Sequence, residues 1–258
     1  MWKDKFPREN IYFETSNGIL YCGDCLEIMK EFPKGVFDAV IADPPYGTTA
    51  CKWDAVIPFE DMWRELKRMR KGKSPVVLFG SEPFSSYLRI SNIKEYKYDW
   101  IWRKPQGIDP FMAKYRPLNN YEIISVFYKK LGTYNPQFKE GKPYVVERDK
   151  KPRVIETKQA QMKPTKTVND GYRYPKRILK FKQERGLHPT QKPLALVEYL
   201  VRTYSNESDL VLDFTCGSGT TLVACERLNR RWIGIEINEE YCKIAKERIL
   251  KESSKLPL

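Results

Sequence analysis

The residues best suited to chemistry follow two apolar runs. Phe37-Asp38-Ala39-Val40-Ile41-Ala42 reads as a buried strand and leads into Asp43-Pro44-Pro45-Tyr46-Gly47. A parallel strand hands its next residues to the carboxyl edge of the sheet, where ligands bind in such folds. Two prolines stiffen this turn and remove two backbone N–H donors. What remains is rich in acceptors, the Asp43 carboxylate and the Pro44 carbonyl, beside the flat ring of Tyr46. That set suits an exocyclic aromatic amine, a poor nucleophile because its lone pair is delocalised. Two acceptors, one per N–H, would favour rehybridisation of the nitrogen as a methyl group arrives and stabilise its growing positive charge. Tyr46 would stack on the base carrying the amine, once that base is turned out of its helix.

The second run, Leu210-Val211-Leu212, ends in Asp213-Phe214-Thr215-Cys216-Gly217-Ser218-Gly219-Thr220-Thr221 and then a helical pattern. Glycines let backbone approach a ligand closely, and a helix start presents free N–H groups. Glu236 follows Asp213 by 23 residues, at the end of Trp232-Ile233-Gly234-Ile235. A carboxylate at that strand tip is placed to hold a ribose diol. A phosphate-binding NTPase loop would carry Lys where Gly219 stands, and a dinucleotide dehydrogenase would show the full Gly-x-Gly-x-x-Gly.

These strand ends need a sheet. Apolar runs alternate with helical patterns, as in a mostly parallel α/β sheet. Strands are expected at Gly18–Cys22, Phe37–Ala42, Pro75–Phe79, Tyr98–Trp102, Ile123–Tyr128, Leu210–Phe214 and Trp232–Ile237. Helices are expected at Leu26–Glu31, Phe59–Arg70, Leu194–Tyr204, Thr221–Leu228 and Glu239–Leu250, the last burying Tyr241, Ile244, Ala245 and Ile249. At 258 residues the chain can bury one substantial core. Its first ten residues lack the apolar stretch of a signal peptide and no run of 18 apolar residues occurs. A cytoplasmic setting, no membrane, and free thiols at Cys22, Cys25, Cys51, Cys216, Cys225 and Cys242 are the expectation.

Charge is uneven. The net is +13, and residues 131–186 hold 15 Lys+Arg against 6 Asp+Glu, a net of +9. Tyr134, Tyr144, Tyr172, Tyr174 and Phe181 lie among these charges, a mixture that fits phosphates and bases. Prolines and charges break every periodic stretch there. The span is therefore read as an inserted region, 131–186, between two parts of one catalytic domain, 1–130 and 187–258. Lys163, Lys166 and Lys176 are its first candidates for DNA contact.

Taken together, these motifs resemble the amino-methylating DNA methyltransferases that act on N6 of adenine or N4 of cytosine, in the circularly permuted order of the beta class. The resemblance covers roughly Leu20 to Ile249, apart from the insertion. It implies a Rossmann-like class I methyltransferase fold with a seven-stranded sheet, and the insertion as target-recognition region. It implies S-adenosylmethionine as cofactor, S-adenosylhomocysteine as product and double-stranded DNA as substrate. Asp43, Pro44, Pro45 and Tyr46 match the catalytic element. Asp213, Gly217, Ser218, Gly219 and Thr220 match the cofactor's methionine loop, Glu236 the ribose acid, and Asp24, with Cys25 beside it, the adenine contact. His188-Pro189-Thr190-Gln191-Lys192-Pro193 matches a segment that closes over the amino-acid end of the cofactor, which makes His188, Thr190, Gln191 and Lys192 cofactor residues. The common loop reads Asp-Pro-Phe-x-Gly-Ser-Gly; here Phe214 and Thr215 fill the Pro and Phe places.

Other features read more plainly. His188, the one histidine, is an anchor and not a base, because transfer from a sulfonium needs no prior deprotonation of the amine. Cys22-x-x-Cys25 lacks a second pair for zinc. Trp53 and Asp54 belong to a loop that is either a lid or packed. Asp43 favours N6 of adenine, since N4-cytosine enzymes more often carry Ser there. The N4-cytosine reaction and an inactive DNA-binding module are the alternatives. A homodimer and a cognate restriction endonuclease are left open as partners.

Overall fold

Apolar runs that alternate β-branched and aromatic residues build a nine-stranded sheet at the centre of the computed structural model, which describes residues 2–48, 54–108, 110–148, 165–184, 186 and 191–253. The chain divides into a larger unit, Met1–Asn135 with Arg177–Leu258, and a smaller one, Pro136–Lys176. The first half of the larger unit contributes β1 (Ile11–Glu14), β2 (Gly18–Cys22), α1 (Cys25–Lys30), β3 (Ala39–Ala42), α2 (Phe59–Met69) and β4 (Val76–Gly80). It continues with α3 (Phe84–Ser91), β5 (Tyr96–Ile108) and β6 (Asn119–Phe127). The smaller unit holds β7 (Lys139–Glu140), β8 (Tyr144–Arg148), β9 (Thr165–Asn169) and β10 (Tyr172–Arg173). The larger unit resumes with β11 (Ile178–Lys180), α4 (Leu194–Tyr204), β12 (Leu210–Asp213), α5 (Thr220–Arg227), β13 (Arg231–Glu236) and α6 (Glu239–Ser253).

Strand order is β1-β2-β13-β12-β3-β4-β6-β5-β11. The run β2-β13-β12-β3-β4 is parallel throughout, and β6 lies antiparallel to both β4 and β5. Two strands exceed the seven expected. β1 pairs antiparallel with β2 at one edge, and β11 pairs with β5 at the other. β11 falls inside the span read as insertion, so the smaller unit begins later and ends earlier than 131–186. β5 and β6 also run longer than their apolar centres, because two antiparallel neighbours can keep pairing into polar sequence.

Both faces of the parallel strands are buried, as their unbroken apolar sequences require. Leu20, Ala39, Ile41, Val77 and Val211 face Leu196, Leu200, Leu222, Val223, Ala245 and Ile249 of α4, α5 and α6. Ile19, Tyr21, Val40, Leu78 and Ile233 face Met29, Met62, Leu66 and Leu88 of α1, α2 and α3. The two sets alternate along each strand, the period of two that a pleated backbone imposes. On α6 the buried face is Cys242, Ala245 and Ile249, with Tyr241 and Ile244 half-buried at its border. Among the described residues no helix is long and apolar enough to cross a membrane.

In the smaller unit β7 pairs with β10 and β8 with β9, all antiparallel. Phe138 packs against Tyr172 and Tyr174, and the Arg173 guanidinium lies 4.6 Å from the Tyr144 ring centre.

Gly18 opens β2 directly beside Trp232 of β13. A methyl group added there would stand 2.0 Å from the indole. The ring cannot step aside: Trp232 is fully buried and its Nε1 donates to Glu226 Oε1 at 2.9 Å. Glu226 also accepts from Thr15 Oγ1 at 2.7 Å and Asn17 Nδ2 at 2.8 Å. Gly18→Ala is therefore expected to destabilise the fold by about 1–3 kcal/mol, the usual cost of overpacking. Urea unfolding monitored by tryptophan fluorescence checks this; an unchanged midpoint would mean the indole yields freely.

Candidate active site

Parallel neighbours end at the same edge, so four strand tips meet there. β3 delivers Asp43, β12 delivers Asp213, β13 delivers Glu236, and β2 delivers Gly23 and Asp24. A cavity of about 290 Å³ opens between them. Its lining includes Asp43, Pro44 and Tyr46 from the first turn and Asp213, Gly217 and Glu236 from the ends of β12 and β13.

The Asp43 turn is tightly held. Asp54 accepts backbone N–H bonds from Tyr46 (2.8 Å), Gly47 (3.0 Å) and Thr48 (2.8 Å), which fixes the loop as a small nest around one carboxylate. Gly47 has φ +68°, a conformation that favours glycine. Tyr46 Oη donates to Asp43 Oδ1, and its ring centre lies 5.1 Å from that of Phe84. Lys192 Nζ stands 2.5 Å from Asp43 Oδ2. Burial pushes the Asp43 carboxyl upward, and Lys192 opposes that push. Burial pulls the Lys192 ammonium down, but Asp43 and Glu122 outweigh it and leave it above the usual lysine value.

The second loop is built to approach a ligand. Gly217 (φ +52°) and Gly219 (φ +76°) take left-handed conformations, and Gly219 caps the start of α5. A Cβ on Gly219 would meet Ala245 Cβ at 2.8 Å, so glycine also lets α5 lie against α6. Glu236 Oε2 accepts from Gly217 N at 2.8 Å, tying the loop to the tip of β13. From α6, Arg248 donates to Ser218 O at 2.6 Å and to the Ser218 and Thr220 hydroxyls, both at 3.0 Å. Asp213 is 3% exposed, and burial pushes its carboxyl up to about 7. Burial raises Glu236 as well. A desolvated pair of acids beside free helix N–H groups is a place for a ligand with a cationic end and a diol.

The sequence-derived residues fall as follows. Asp43, Pro44, Pro45, Tyr46, Asp24, Cys25, Gln191, Lys192, Asp213, Gly217, Ser218, Thr220 and Glu236 all line the one cavity. Gly219 sits behind it at the helix start. Asp24 also caps α1, its Oδ1 accepting from Leu26 N at 2.8 Å and Glu27 N at 3.2 Å. Lys192, read as a cofactor residue, lines the cavity with its ammonium 2.5 Å from Asp43 Oδ2 and 3.4 Å from Glu122 Oε2. Gln191 reaches Glu184 at 3.3 Å. Phe214 is a core side chain, 1% exposed. Cys22 ends β2 and Cys25 opens α1, both free thiols. Lys166 is paired with Glu147 at 3.0 Å, and Lys176 is exposed at the end of the smaller unit. Lys163, His188, Thr190, Cys51 and Trp53 lie outside the described residues. Sequence reading did not find Asp54's clamp or the Arg248 anchor: Asp54 folds back on N–H groups within its own irregular loop, and Arg248 reaches Ser218 across 30 residues, with no local pattern marking either contact.

A family model for N6/N4 methyltransferases, described as DNA methylase, matches residues 37–247. The Type II methyltransferase M.HpaI of Haemophilus parainfluenzae is 30% identical over 253 residues, 90% of this chain and 74% of that protein. M.ScaI of Streptomyces caespitosus is 28% identical over 276 residues, 95% of this chain and 85% of that protein. Among solved structures, the M1.HpyAVI–SAM complex has a TM-score of 0.61 at 27% identity, covering 89% of this chain and 98% of that one. The cytosine-N4-specific PvuII DNA methyltransferase reaches a TM-score of 0.69, covering 96% and 94%, and at 18% identity shares the fold. The strand-end turn, the glycine loop and these likenesses agree: the chain belongs to the N6/N4 family of amino-methylating DNA methyltransferases.

Proposed function

We propose that the protein transfers a methyl group from S-adenosylmethionine to N6 of adenine in DNA. The observation that carries this reading is the shared cavity, which Asp43 and Pro44 line together with Asp213, Gly217 and Glu236. When bound, S-adenosylmethionine supplies an electrophilic methyl on a sulfonium. Asp213 would meet the ammonium of its amino-acid end, Glu236 would take the ribose hydroxyls, and Asp24 and Cys25 would border its adenine. Asp43 and the Pro44 carbonyl each accept one N–H of the target amine, and Tyr46 stacks on the flipped base. An acid at position 43 supports adenine over cytosine, and residues 136–176, with 11 Lys+Arg against 5 Asp+Glu, are the DNA-recognition unit.

Asp43→Ala should abolish methylation while cofactor affinity stays nearly unchanged; turnover at the wild-type rate by the folded variant would remove Asp43 from the reaction. Identifying the methylated base by mass spectrometry decides the target: N6-methyladenine supports the reading, and N4-methylcytosine replaces it.

Asp213 links affinity to pH. Only the ionised carboxylate pairs with an ammonium, so affinity should fall as pH drops below about 7. Between pH 7.5 and 6 calorimetry should show roughly eightfold weaker binding of the cofactor, and Asp213→Asn should flatten that slope. A pH-independent wild-type affinity would exclude this contact.

For DNA, Lys176→Ala should lower the log–log salt slope of binding by about one unit and weaken all sequences alike. Replacing 136–176 with a short linker should abolish site-specific binding and leave cofactor affinity intact. Unchanged methylation of the same site by that protein would place recognition elsewhere.

A further inference from the structure

Behind the Asp43 carboxylate, charged side chains of alternating sign stand in a row. Lys192 Nζ lies 2.5 Å from Asp43 Oδ2 and 3.4 Å from Glu122 Oε2. Glu122 Oε1 lies 2.5 Å from Lys104 Nζ. Lys192 and Lys104 are 6% and 7% exposed, so both ammonium groups are held away from water. Aromatic faces complete their seats: Lys192 Nζ lies 5.6 Å from the Tyr46 ring centre and 5.3 Å from that of Phe79, and Lys104 Nζ lies 5.2 Å from Trp102. Lys104 and Glu122 come from adjoining strands, β5 and β6. Lys192 comes from the segment before α4, and Asp43 from the end of β3. Four separate parts of the chain thus converge on one buried row, a costly arrangement unless each charge is matched.

The cofactor wall does not account for it, since the Lys192 ammonium is directed to Asp43. Resting on the methyl-transfer reading, we propose that Lys192, seated by Glu122, is a positioning residue that holds Asp43 as the charged acceptor the target amine needs. The groups acting on Asp43 are Tyr46 of its own turn, Lys192, Glu122 from β6 and Asp213 from β12. Lys192 is the one cation among these four. Without it, burial and two acids would favour a protonated Asp43, which offers the amine a hydroxyl in place of an acceptor oxygen. Glu122 acts in two ways: it fixes Lys192, and its negative charge raises Asp43. Burial would raise the Glu122 carboxyl, but the Lys192 ammonium and, after it, that of Lys104 outweigh burial and keep it below its usual range.

This gives effects of opposite sign. In Lys192→Met the single-turnover rate on unmodified plasmid DNA should fall at least tenfold at pH 7. The acid limb of its pH profile should move up by one unit or more, with partial recovery near pH 9, while KM for S-adenosylmethionine stays within about threefold. Lys192→Arg should return the limb to its wild-type position. Glu122→Gln removes a negative charge, so its acid limb should move down. A purely structural role would lower the rate in both variants with no displacement of the limb. Should Lys192→Met fail to fold, the direction of the Glu122→Gln shift decides. A Lys192→Met limb coincident with wild type, with KM for the cofactor alone raised, would overturn the proposal and return Lys192 to the cofactor pocket. Wild-type turnover by Asp43→Ala would instead overturn the underlying reading, whatever Lys192 does.

Discussion

Two residue pairs join β3 to β12, Val211 with Ala39 and Leu212 with Val40, and they set the spacing between the Asp-Pro-Pro-Tyr turn and the glycine loop. Both strands stop at the same edge because they run parallel, and β13 keeps the same direction beyond β12. The site is therefore a property of the sheet. Its loops are then fastened to that frame, by Asp54 at one turn and by Glu236 and Arg248 at the other. Catalytic groups placed by rigid elements need little reorganisation when charge develops on a substrate.

The cavity holds more negative charge than burial tolerates comfortably. Asp43, Asp213 and Glu236 all line it, and desolvation raises all three. At the Asp43 end the offset comes from within the protein, through Lys192. At the Asp213 end, under the proposed reading, it comes from the cationic cofactor. The two halves of the cavity thus differ in what completes them.

Strand tips were the legible part of the sequence. Apolar runs followed by Asp-Pro-Pro-Tyr or by a glycine loop read directly, because burial and backbone conformation are written locally. The edge strands β1 and β11 were not readable: a four-residue Ile-Tyr-Phe-Glu and a three-residue Ile-Leu-Lys carry too little pattern and depend on a neighbour. The helix α3 is unreadable for another reason: it is eight residues long, includes Ser85, Ser86 and Ser91, and follows Pro83 with no side-chain cap. Lys192 was placed by motif but not by partner. Its ammonium meets a carboxylate 149 positions earlier, a contact no window along the chain can contain.

The strand order also bears on how the chain is made. β2 and β3 are synthesised early and lie close in sequence, yet in the sheet β13 and β12 stand between them. Both of those strands follow only at Leu210–Asp213 and Arg231–Glu236, far downstream of β3. Until they leave the ribosome, the inward edges of β2 and β3 have no native partner. At ordinary elongation rates the interval lasts on the order of ten to thirty seconds. Over that time two short, wholly apolar strands offer bare hydrogen-bonding edges to any other nascent chain. The architecture that brings segments so distant in sequence into one pocket thus leaves the growing chain in need of shelter.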